Sequence, residues 1–248
     1  MEDGKTLFKS TVVVGLGGIF SRLALILSEY SRDLAAAPKE ITLADGDRFE
    51  VKNIERQGIS EEEVGRLKAE VWAKRLGLRF GKLSFSPFPE FVTAKNVAEA
   101  IPERSIVLSG VDNHATRLLL SRRVQALDDA VLISGGNELL EGNVQLYLRL
   151  EGKSRTLPIE EVHAEMRDPK DRNPGDLSCE ERLALPGGEQ QAETNMEVAR
   201  IMAGFFRSIL LSIGDPDRWK EAKRGRIFAE VMFDLSDHTS AGFYRALK

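Results

Sequence analysis

The chain has 248 residues, a formal net charge of −4 and a single cysteine, Cys179. This length allows one large α/β domain with a sizeable core, and a single cysteine excludes an internal disulfide framework. The charge gives no basic footprint for nucleic acid. There is no apolar run of membrane-spanning length and no signal-peptide pattern. We therefore expect a cytoplasmic protein that binds neither nucleic acid nor membrane. The histidines and the cysteine lack zinc-ligand spacing, so no zinc is expected.

The first 136 residues alternate between short apolar runs and stretches with helical spacing of apolar residues. The β-branched apolar runs are typical of buried parallel strands. We predict strands at residues 11–15, 41–45, 83–87, 105–110 and 130–136. We predict helices at residues 18–30, 61–77, 94–101 and 114–127. This alternation predicts an α/β fold with a Rossmann-like, doubly wound, mostly parallel sheet.

The pattern changes after Gly136. Residues 143–151 (NVQLYLRLE) alternate like a half-exposed strand and predict an antiparallel addition to the sheet. Residues 152–188 are rich in charge, proline and glycine and predict a long loop, which in a compact domain is usually functional or disordered. An apolar helix is predicted at 194–213, and a closing antiparallel hairpin at 226–247.

The first predicted strand ends in GLGGIFS, directly before a helix. Backbone N–H groups and the helix dipole form an anion site at such a turn. The candidate nucleotide-binding residues are Gly15, Gly17 and Gly18. Phe20 replaces the last glycine of G-x-G-x-x-G, the one that lets helix and strand pack closely. The alternative is a tight turn with no ligand.

Two acidic residues stand at the carboxyl edge of the predicted sheet. Asp45 ends the second strand, where it can accept hydrogen bonds from a ribose, and Asp112 follows the fourth, where it can hold magnesium. The alternatives are a turn cap at Asp45 and a helix N-cap at Asn113. Arg56 and Lys68 can meet over the same crevice and neutralise phosphates, although an isolated basic residue is usually a surface cation.

Together these stretches form an ordered set: GLGGxxS, D-x-D-x-x-E-x-x-N-I-x-R-Q, G-x-x-K-A-E and D-N-x-x-x-R. The set resembles the ThiF/MoeB family of ubiquitin-activating-type adenylyltransferases over residues 10–150. Its most specific piece is NIERQ (53–57), placed after Asp45 and before GRLKAE (65–70). The resemblance implies one adenylation domain over residues 1–248, in which 152–188 is a crossover or thiol-bearing loop.

The resemblance also implies roles for single residues. The three glycines would approach the nucleotide, and Asp45 would bind the ribose hydroxyls. Magnesium would be ligated by Asp112, and Arg117 would brace the helix that follows. The residues that would face the phosphates are Asn53, Arg56 and Lys68. The implied catalytic residues are Arg56, Lys68, Asp112 and, as a thioester-forming thiol, Cys179. The alternative for Cys179 is an unreactive cysteine, since two glutamates beside it raise a thiol pKa.

In that family, the C-terminal carboxylate of a ubiquitin-like protein attacks the α-phosphate of ATP, which yields an acyl-adenylate and pyrophosphate. The resemblance therefore implies ATP and Mg²⁺ as cofactors and a ubiquitin-like or sulfur-carrier protein as substrate. A conjugating-enzyme-like protein is a candidate second partner. A homodimer is expected, with the apolar faces of residues 118–127 and 196–211 as candidate surfaces.

The chain departs from the family pattern in several places. The last glycine of the turn is Phe20, no arginine precedes the first strand, and the paired C-x-x-C zinc motifs are missing. Three alternatives stay open. A nicotinamide-dependent oxidoreductase would use GLGG and Asp45 but leave the basic residues and Asp112 unexplained. A non-catalytic partner of the same fold is favoured only by Phe20. Finally, the substrate can be a short peptide with a free C-terminus.

Overall fold

The computed structural model describes residues 7–178, 181 and 191–244, with only the backbone of residues 55, 56 and 244. Strands and helices alternate through the first half of the chain, as the sequence predicts. The elements in this half are β1 (Ser10–Val14), α1 (Gly18–Asp33), β2 (Glu40–Ala44), α2 (Asn53–Gln57), α3 (Lys68–Arg79), β3 (Ser84–Phe88), α4 (Val97–Ala100), β4 (Ser105–Ser109), α5 (His114–Gln125) and β5 (Ala130–Asn137).

The second half adds strands and helices to the far edge of the same sheet. Its elements are β6 (Glu141–Leu150), β7 (Lys153–Ser154), α6 (Ile159–Val162), α7 (Ala192–Gly214), α8 (Pro216–Lys223), β8 (Phe228–Asp234) and β9 (Thr239–Tyr244). The strand order is β3-β2-β1-β4-β5-β6-β8-β9, with β7 paired to β6. The first five strands are parallel and the later pairings are antiparallel. This confirms the predicted fold class.

Strand order reverses between β1 and β4, because the chain moves outward to β2 and β3 and then returns to the other side of β1. Helices cover both faces of the sheet. Val13 of β1 faces a core shared with α1, α3 and α7, whereas Val12 and Val14 face a second core shared with α5 and α6. In a doubly wound sheet, ligands bind at the carboxyl ends of the strands where the order reverses.

β6 differs from the half-exposed strand that its sequence suggests. Leu146 and Leu148 pack in the core under α7, while Tyr147 is buried in the opposite core. Both faces of the strand are covered, because α7 closes one side and α6 the other. The alternation of polar and apolar residues in β6 therefore does not mark an exposed face, since even the polar Gln145 is buried.

The helix predicted at 61–77 begins only at Lys68. Residues Glu61–Glu63 form one 3-10 turn, which is closed by a capping box between Ser60 and Glu63. Gly65 then takes a left-handed conformation with φ +82°, and Leu67 forms a bridge with Arg48. A left-handed residue cannot continue a right-handed helix, so the helical pattern is interrupted at this point. The sequence analysis also missed α2 and α8.

The described part of the predicted long loop, up to Ser178, contains β7, α6 and two 3-10 turns, Ala164–Met166 and Pro174–Asp176. Side chains fix it at both ends of α6. Glu160 accepts hydrogen bonds from Ser121 (2.6 Å) and Gln125 (2.6 Å) on α5. His163 bonds to the fully buried Glu230 of β8 at 2.6 Å. Across the described residues, no helix is both long enough and apolar enough to cross a membrane.

Candidate active site

A cavity of about 220 Å³ opens at the carboxyl ends of β1, β2 and β4, where the strand order reverses. Its walls come from the turns after these strands, from α2, from the start of α3 and from the loop after α6. The lining includes Gly15, Gly17, Gly18, Asp45, Asp47, Asn53, Gln57, Lys68, Asp112, Asn113, Thr116 and Asn173. The structure therefore brings most of the predicted site residues to one cavity.

The glycine turn after β1 needs its glycines for two different reasons. Gly15 has φ +87°, and a Cβ there would lie 2.9 Å from Val111 Cγ1 and 3.1 Å from the Gly110 carbonyl carbon. Gly17 has no atom within 4 Å of an added Cβ, so the space beside it is open. α1 begins with no side-chain cap and no acidic residue in its first turn. Its positive N-terminal end is therefore available to an anion.

Phe20 lies in the core and not in this turn. Its side chain is 2% exposed and packs edge-on against Trp72 of α3, with ring centroids 5.2 Å apart. The ring therefore holds α1 against α3, whereas the third glycine of G-x-G-x-x-G serves the close packing of a helix on a strand. The nucleotide turn keeps an open side at Gly17 with this phenylalanine in place.

Asp45 connects the turns after β1 and β2. It is 8% exposed, and its two oxygens accept hydrogen bonds from the N–H groups of Leu16 (2.7 Å) and Asp47 (2.8 Å). Lys68 donates to Asp47 at 3.0 Å. Burial lowers the pKa of Lys68, but the nearby carboxylates of Asp45 and Asp47 outweigh this effect and leave the pKa above its ordinary value. The cavity therefore has a fixed, buried cation.

The short helix α2 carries the most specific part of the sequence motif. Asn53 is buried and accepts a hydrogen bond from the Glu50 N–H at 2.8 Å. The Gln57 Oε1 atom is buried and has no hydrogen-bond partner among the described residues. Arg75 of α3 donates to the Gly58 carbonyl at 3.1 Å and so fixes the end of α2. Arg56 lies on this helix, but its side chain is outside the described residues, so its phosphate role stays a prediction.

The turn between β4 and α5 carries the predicted magnesium ligand. Asp112 lines the cavity with its side chain exposed, and Asn113 caps α5 by accepting from the Thr116 N–H at 2.8 Å. The guanidinium of Arg117 donates twice to the Val111 carbonyl, at 3.0 and 2.9 Å, and once to Gly135 at 3.2 Å. Arg117 therefore braces the turn before α5 and not only the helix itself.

The fit of a magnesium ion depends on this one carboxylate. No cluster of three or more histidine, cysteine, aspartate or glutamate side chains suited to a metal occurs in the described parts of the chain. Magnesium in nucleotide sites is commonly held by one or two carboxylates together with phosphates and water. The exposed carboxylate of Asp112 at the cavity wall fits that coordination.

Residues 167–176, which we call the strap, contribute Asn173 and Pro174 to the wall of the cavity. Asn173 is buried, donates to the Val92 carbonyl at 2.7 Å and lines the cavity together with Pro174. Asp171 accepts hydrogen bonds from the N–H groups of His114 (2.7 Å) and Ala115 (2.8 Å). The sequence analysis missed both residues, although Asn-Pro-Gly is a turn signal. Cys179 follows the strap and lies outside the described residues.

Comparison with known proteins decides the family. The ThiF family model matches residues 2–203. The chain belongs to the ThiF family. A sulfur carrier protein adenylyltransferase of Thermus thermophilus is 30% identical over 215 residues, which cover 84% of this chain and 71% of that protein. The sulfur carrier protein ThiS adenylyltransferase of Escherichia coli is 26% identical over 129 residues, which cover 52% of this chain and 49% of that protein. These matches confirm the resemblance read from the sequence.

Solved structures support the same fold. Escherichia coli MccB, crystallised with AMPCPP and MccA, superposes with a TM-score of 0.67 at 18% identity, covering 97% of this chain and 65% of that chain. PaaA superposes with a TM-score of 0.66 at 17% identity, covering 98% of this chain and 66% of that chain. The chain thus spans just under two thirds of these structures and about half of the E. coli sulfur-carrier relative.

Proposed function

We propose that this chain activates the C-terminal carboxylate of a sulfur-carrier or ubiquitin-like protein by adenylation with ATP. The observation that carries the proposal is the meeting of three features in one cavity. These are the open N-terminus of α1, the buried side chains of Asp45 and Lys68, and the exposed carboxylate of Asp112. The names of the ThiF-family relatives, which are adenylyltransferases of sulfur carrier proteins, support the choice of reaction.

The cavity provides a different group for each part of a nucleotide. Asp45 stands at the end of β2, where a carboxylate accepts hydrogen bonds from ribose hydroxyls. The first N–H groups of α1 and the ammonium of Lys68 offer positive charge to phosphates. Asn53 of α2 lines the cavity, and Arg56 of the same helix is proposed to face the phosphates; Arg75 of α3 fixes the end of α2. A dehydrogenase would have no common use for Lys68 and Asp112, so the oxidoreductase alternative explains fewer of these residues.

The proposed reaction joins two anions. An oxygen of the substrate carboxylate attacks the α-phosphorus, and the new acyl–O–P bond forms as the bond to the bridging oxygen of the β-phosphate breaks. Pyrophosphate leaves with that electron pair, so atoms and charge balance. No general base is required, because a carboxylate is ionised at neutral pH. The enzyme must instead align the reactants and neutralise charge, which Lys68 and Arg56 would do. Asp112 would hold Mg²⁺, which supplies further neutralisation when bound.

Later steps and assembly are also part of the proposal. We propose that the Cys179 thiolate attacks the carbonyl carbon of the acyl-adenylate, so that a thioester forms as the acyl–oxygen bond breaks and AMP leaves. Cys179→Ser tests this step. A conjugating-enzyme-like protein would then receive the substrate. A cytoplasmic homodimer is proposed on family grounds alone. The apolar faces of α5 and α7, which the sequence suggested as dimer surfaces, pack largely inside the protomer, as Leu120 and Phe206 show.

Calorimetric titration tests the central part of this proposal. Mg-ATP, NAD and NADH are titrated separately into the wild-type chain, Asp112→Ala and Arg56→Ala, with Asp168→Ala as a control that removes an exposed carboxylate. We expect magnesium-dependent ATP binding that the first two substitutions each weaken by about tenfold, or about 1.4 kcal/mol, and the control leaves unchanged. Binding of NADH without ATP binding by the folded wild-type chain would rule out the adenylation site.

A further inference from the structure

The first turn of α5 holds a carboxylate that the chain itself supplies. The two side-chain oxygens of Asp171 accept hydrogen bonds from the N–H groups of His114 (2.7 Å) and Ala115 (2.8 Å). This is a two-point grip on one carboxylate at the positive end of a twelve-residue helix. Asp171 comes from a segment 57 residues later in the chain, so the grip is not a local helix cap. Asn113 already provides the local cap.

A second group in the same helical turn has no partner. Thr116 is 4% exposed and lines the cavity, and its hydroxyl makes no hydrogen bond to any described residue. A buried hydroxyl without a partner costs about 1–3 kcal/mol, so a ligand that reaches it would recover part of this cost. The turn therefore offers a donor beyond the two N–H groups that Asp171 uses.

A buried cation strengthens the positive field at this end of the helix. Arg117 is 7% exposed, and its described hydrogen bonds go to the Val111 and Gly135 carbonyls. A buried guanidinium with only carbonyl partners leaves positive charge that nearby anions can balance. The anions whose charge acts on it are Asp112 and Asp171. A carboxylate beside His114 is therefore favoured by Arg117 as well as by the helix.

Asp171 is placed so that another carboxylate could take over its contacts. Asp171 is exposed, and its described hydrogen bonds are those to the two helix N–H groups. Within the strap, Lys170 pairs with Asp168 and Arg172 with Glu181, so neither lysine nor arginine forms a described ion pair with Asp171. Replacement of Asp171 by another carboxylate would preserve both helix hydrogen bonds and strand no buried charge.

From these contacts we propose that the N-terminus of α5 is the binding site for the terminal carboxylate of the substrate. In the empty protein, Asp171 occupies this site and is displaced when the substrate tail enters under the strap. The inference rests on the proposed adenylation, since it assigns that reaction's carboxylate a place beside Asp112. It also divides the cavity between its two helices: α1 serves the phosphates and α5 serves the carboxylate.

The test uses a small carboxylate and needs neither ATP nor the natural substrate. N-acetylglycylglycine and its C-terminal amide are titrated into the ¹⁵N-labelled full chain, and the amide signals of His114 and Ala115 are followed by NMR. The variants are Asp171→Ala, Asp171→Asn as a milder change that keeps one acceptor, and Asp168→Ala as a control for loss of a strap carboxylate. Mg-ATP affinity is measured on the same samples.

We expect Asp171→Ala to bind N-acetylglycylglycine about tenfold more tightly than the wild-type chain. This factor assumes that Asp171 leaves the α5 site free in about a tenth of wild-type molecules, whereas the site is always free in the variant. Asp171→Asn should lie between the two, Asp168→Ala should match the wild-type chain, and the amide analogue should not bind. Mg-ATP affinity should be unchanged throughout. Equal carboxylate affinity in all chains, shifts away from α5, or equal binding of the amide would overturn the proposal.

A gain in ATP affinity instead of carboxylate affinity in Asp171→Ala would also overturn it, because the turn would then serve a phosphate. Failure of the wild-type chain to bind Mg-ATP would contradict the proposed function. The carboxylate titration needs no ATP, so its result would still support or overturn the carboxylate site at α5. The two failures are therefore distinguishable.

Discussion

Two helices point their N-termini at the cavity, and they differ in how those ends are filled. α1 begins at Gly18 with no side-chain cap, beside a turn whose open side is Gly17. α5 is capped by Asn113 and additionally holds the carboxylate of Asp171. Under the proposals above, the two ends serve different anions. The end kept bare is available to a ligand at all times, whereas the filled end must first release its own carboxylate.

The α1 end depends on packing behind the helix, and Phe20→Gly tests this most strongly. The change restores the last glycine of G-x-G-x-x-G but removes a buried ring from contact with Trp72. We expect the free energy of unfolding to fall by about 4 kcal/mol or more, with no gain in ATP affinity. Urea denaturation measures the loss. Leu25→Gly is the matched control, because Leu25 lies on the same helix with 41% of its side chain exposed. An equal loss in both variants would show that Phe20 does not anchor α1.

The two glycines of the turn separate folding from binding. Gly15→Ala places a Cβ at φ +87° and 2.9 Å from Val111, which should lower the free energy of unfolding by about 1–3 kcal/mol. Gly17→Ala meets no atom within 4 Å, so its stability should change by less than about 1 kcal/mol while Mg-ATP affinity falls. Thermal unfolding and calorimetry on the pair measure both effects. Unchanged ATP affinity in Gly17→Ala would contradict the view that α1 presents a bare end to phosphates.

The end of α6, which leads into the strap, should respond to pH through His163. A hydrogen bond with Glu230 raises the pKa of His163, with Glu165 adding to the effect against burial. A raised pKa means that the charged pair stabilises the fold below about pH 6.5 and loses this contribution as pH rises through the folded-state pKa. His163→Gln should therefore cost about 1–2 kcal/mol at pH 6 and less at pH 8.5.

Urea denaturation at both pH values checks this, with Glu165→Gln as the control. The Glu165 side chain is 58% exposed, so its removal should change stability little. A cost of His163→Gln that stays constant from pH 6 to pH 8.5 would show that the charged form of His163 does not stabilise the end of α6 against β8.

The smallest expected effect concerns the local cap of α5. Asn113→Ala removes the hydrogen bond to the Thr116 N–H and should cost about 1 kcal/mol of stability. Combined with Asp171→Ala, it forms a double-mutant cycle at one helix end. We expect the costs to be non-additive by about 0.5 kcal/mol or more, because both groups act on adjacent N–H groups. Strictly additive stability costs in thermal unfolding would mean that the Asn113 amide oxygen and the Asp171 carboxylate act independently.

Much of the cavity could be predicted because its signals are local. The apolar run before Gly15, the acid that ends β2 and the Asn113 cap each follow from a few neighbouring residues, and strand order then places them at one edge. The start of α3 could not be predicted from helical periodicity, since it depends on the left-handed Gly65 and on the bridge between Leu67 and Arg48.

The strap shows the limit more clearly. Its contacts join Asp171 to His114 across 57 residues and Asn173 to Val92 across 81. A surface-like run of charge, proline and glycine contains no periodicity that specifies such partners. The segment whose composition suggested a free loop therefore forms part of the cavity wall, and this part of the site could not be predicted from the sequence.

The most direct test of the account is to map where Mg-ATP binds on the labelled wild-type chain by amide chemical shifts. We predict that the largest shifts occur at Gly17, Gly18 and the residues around Asp45, with the amides of His114 and Ala115 still held by Asp171. Shifts centred on the separate groove near Phe205 and Phe228, or no shifts at saturating Mg-ATP, would contradict the assignment of the nucleotide to the open end of α1.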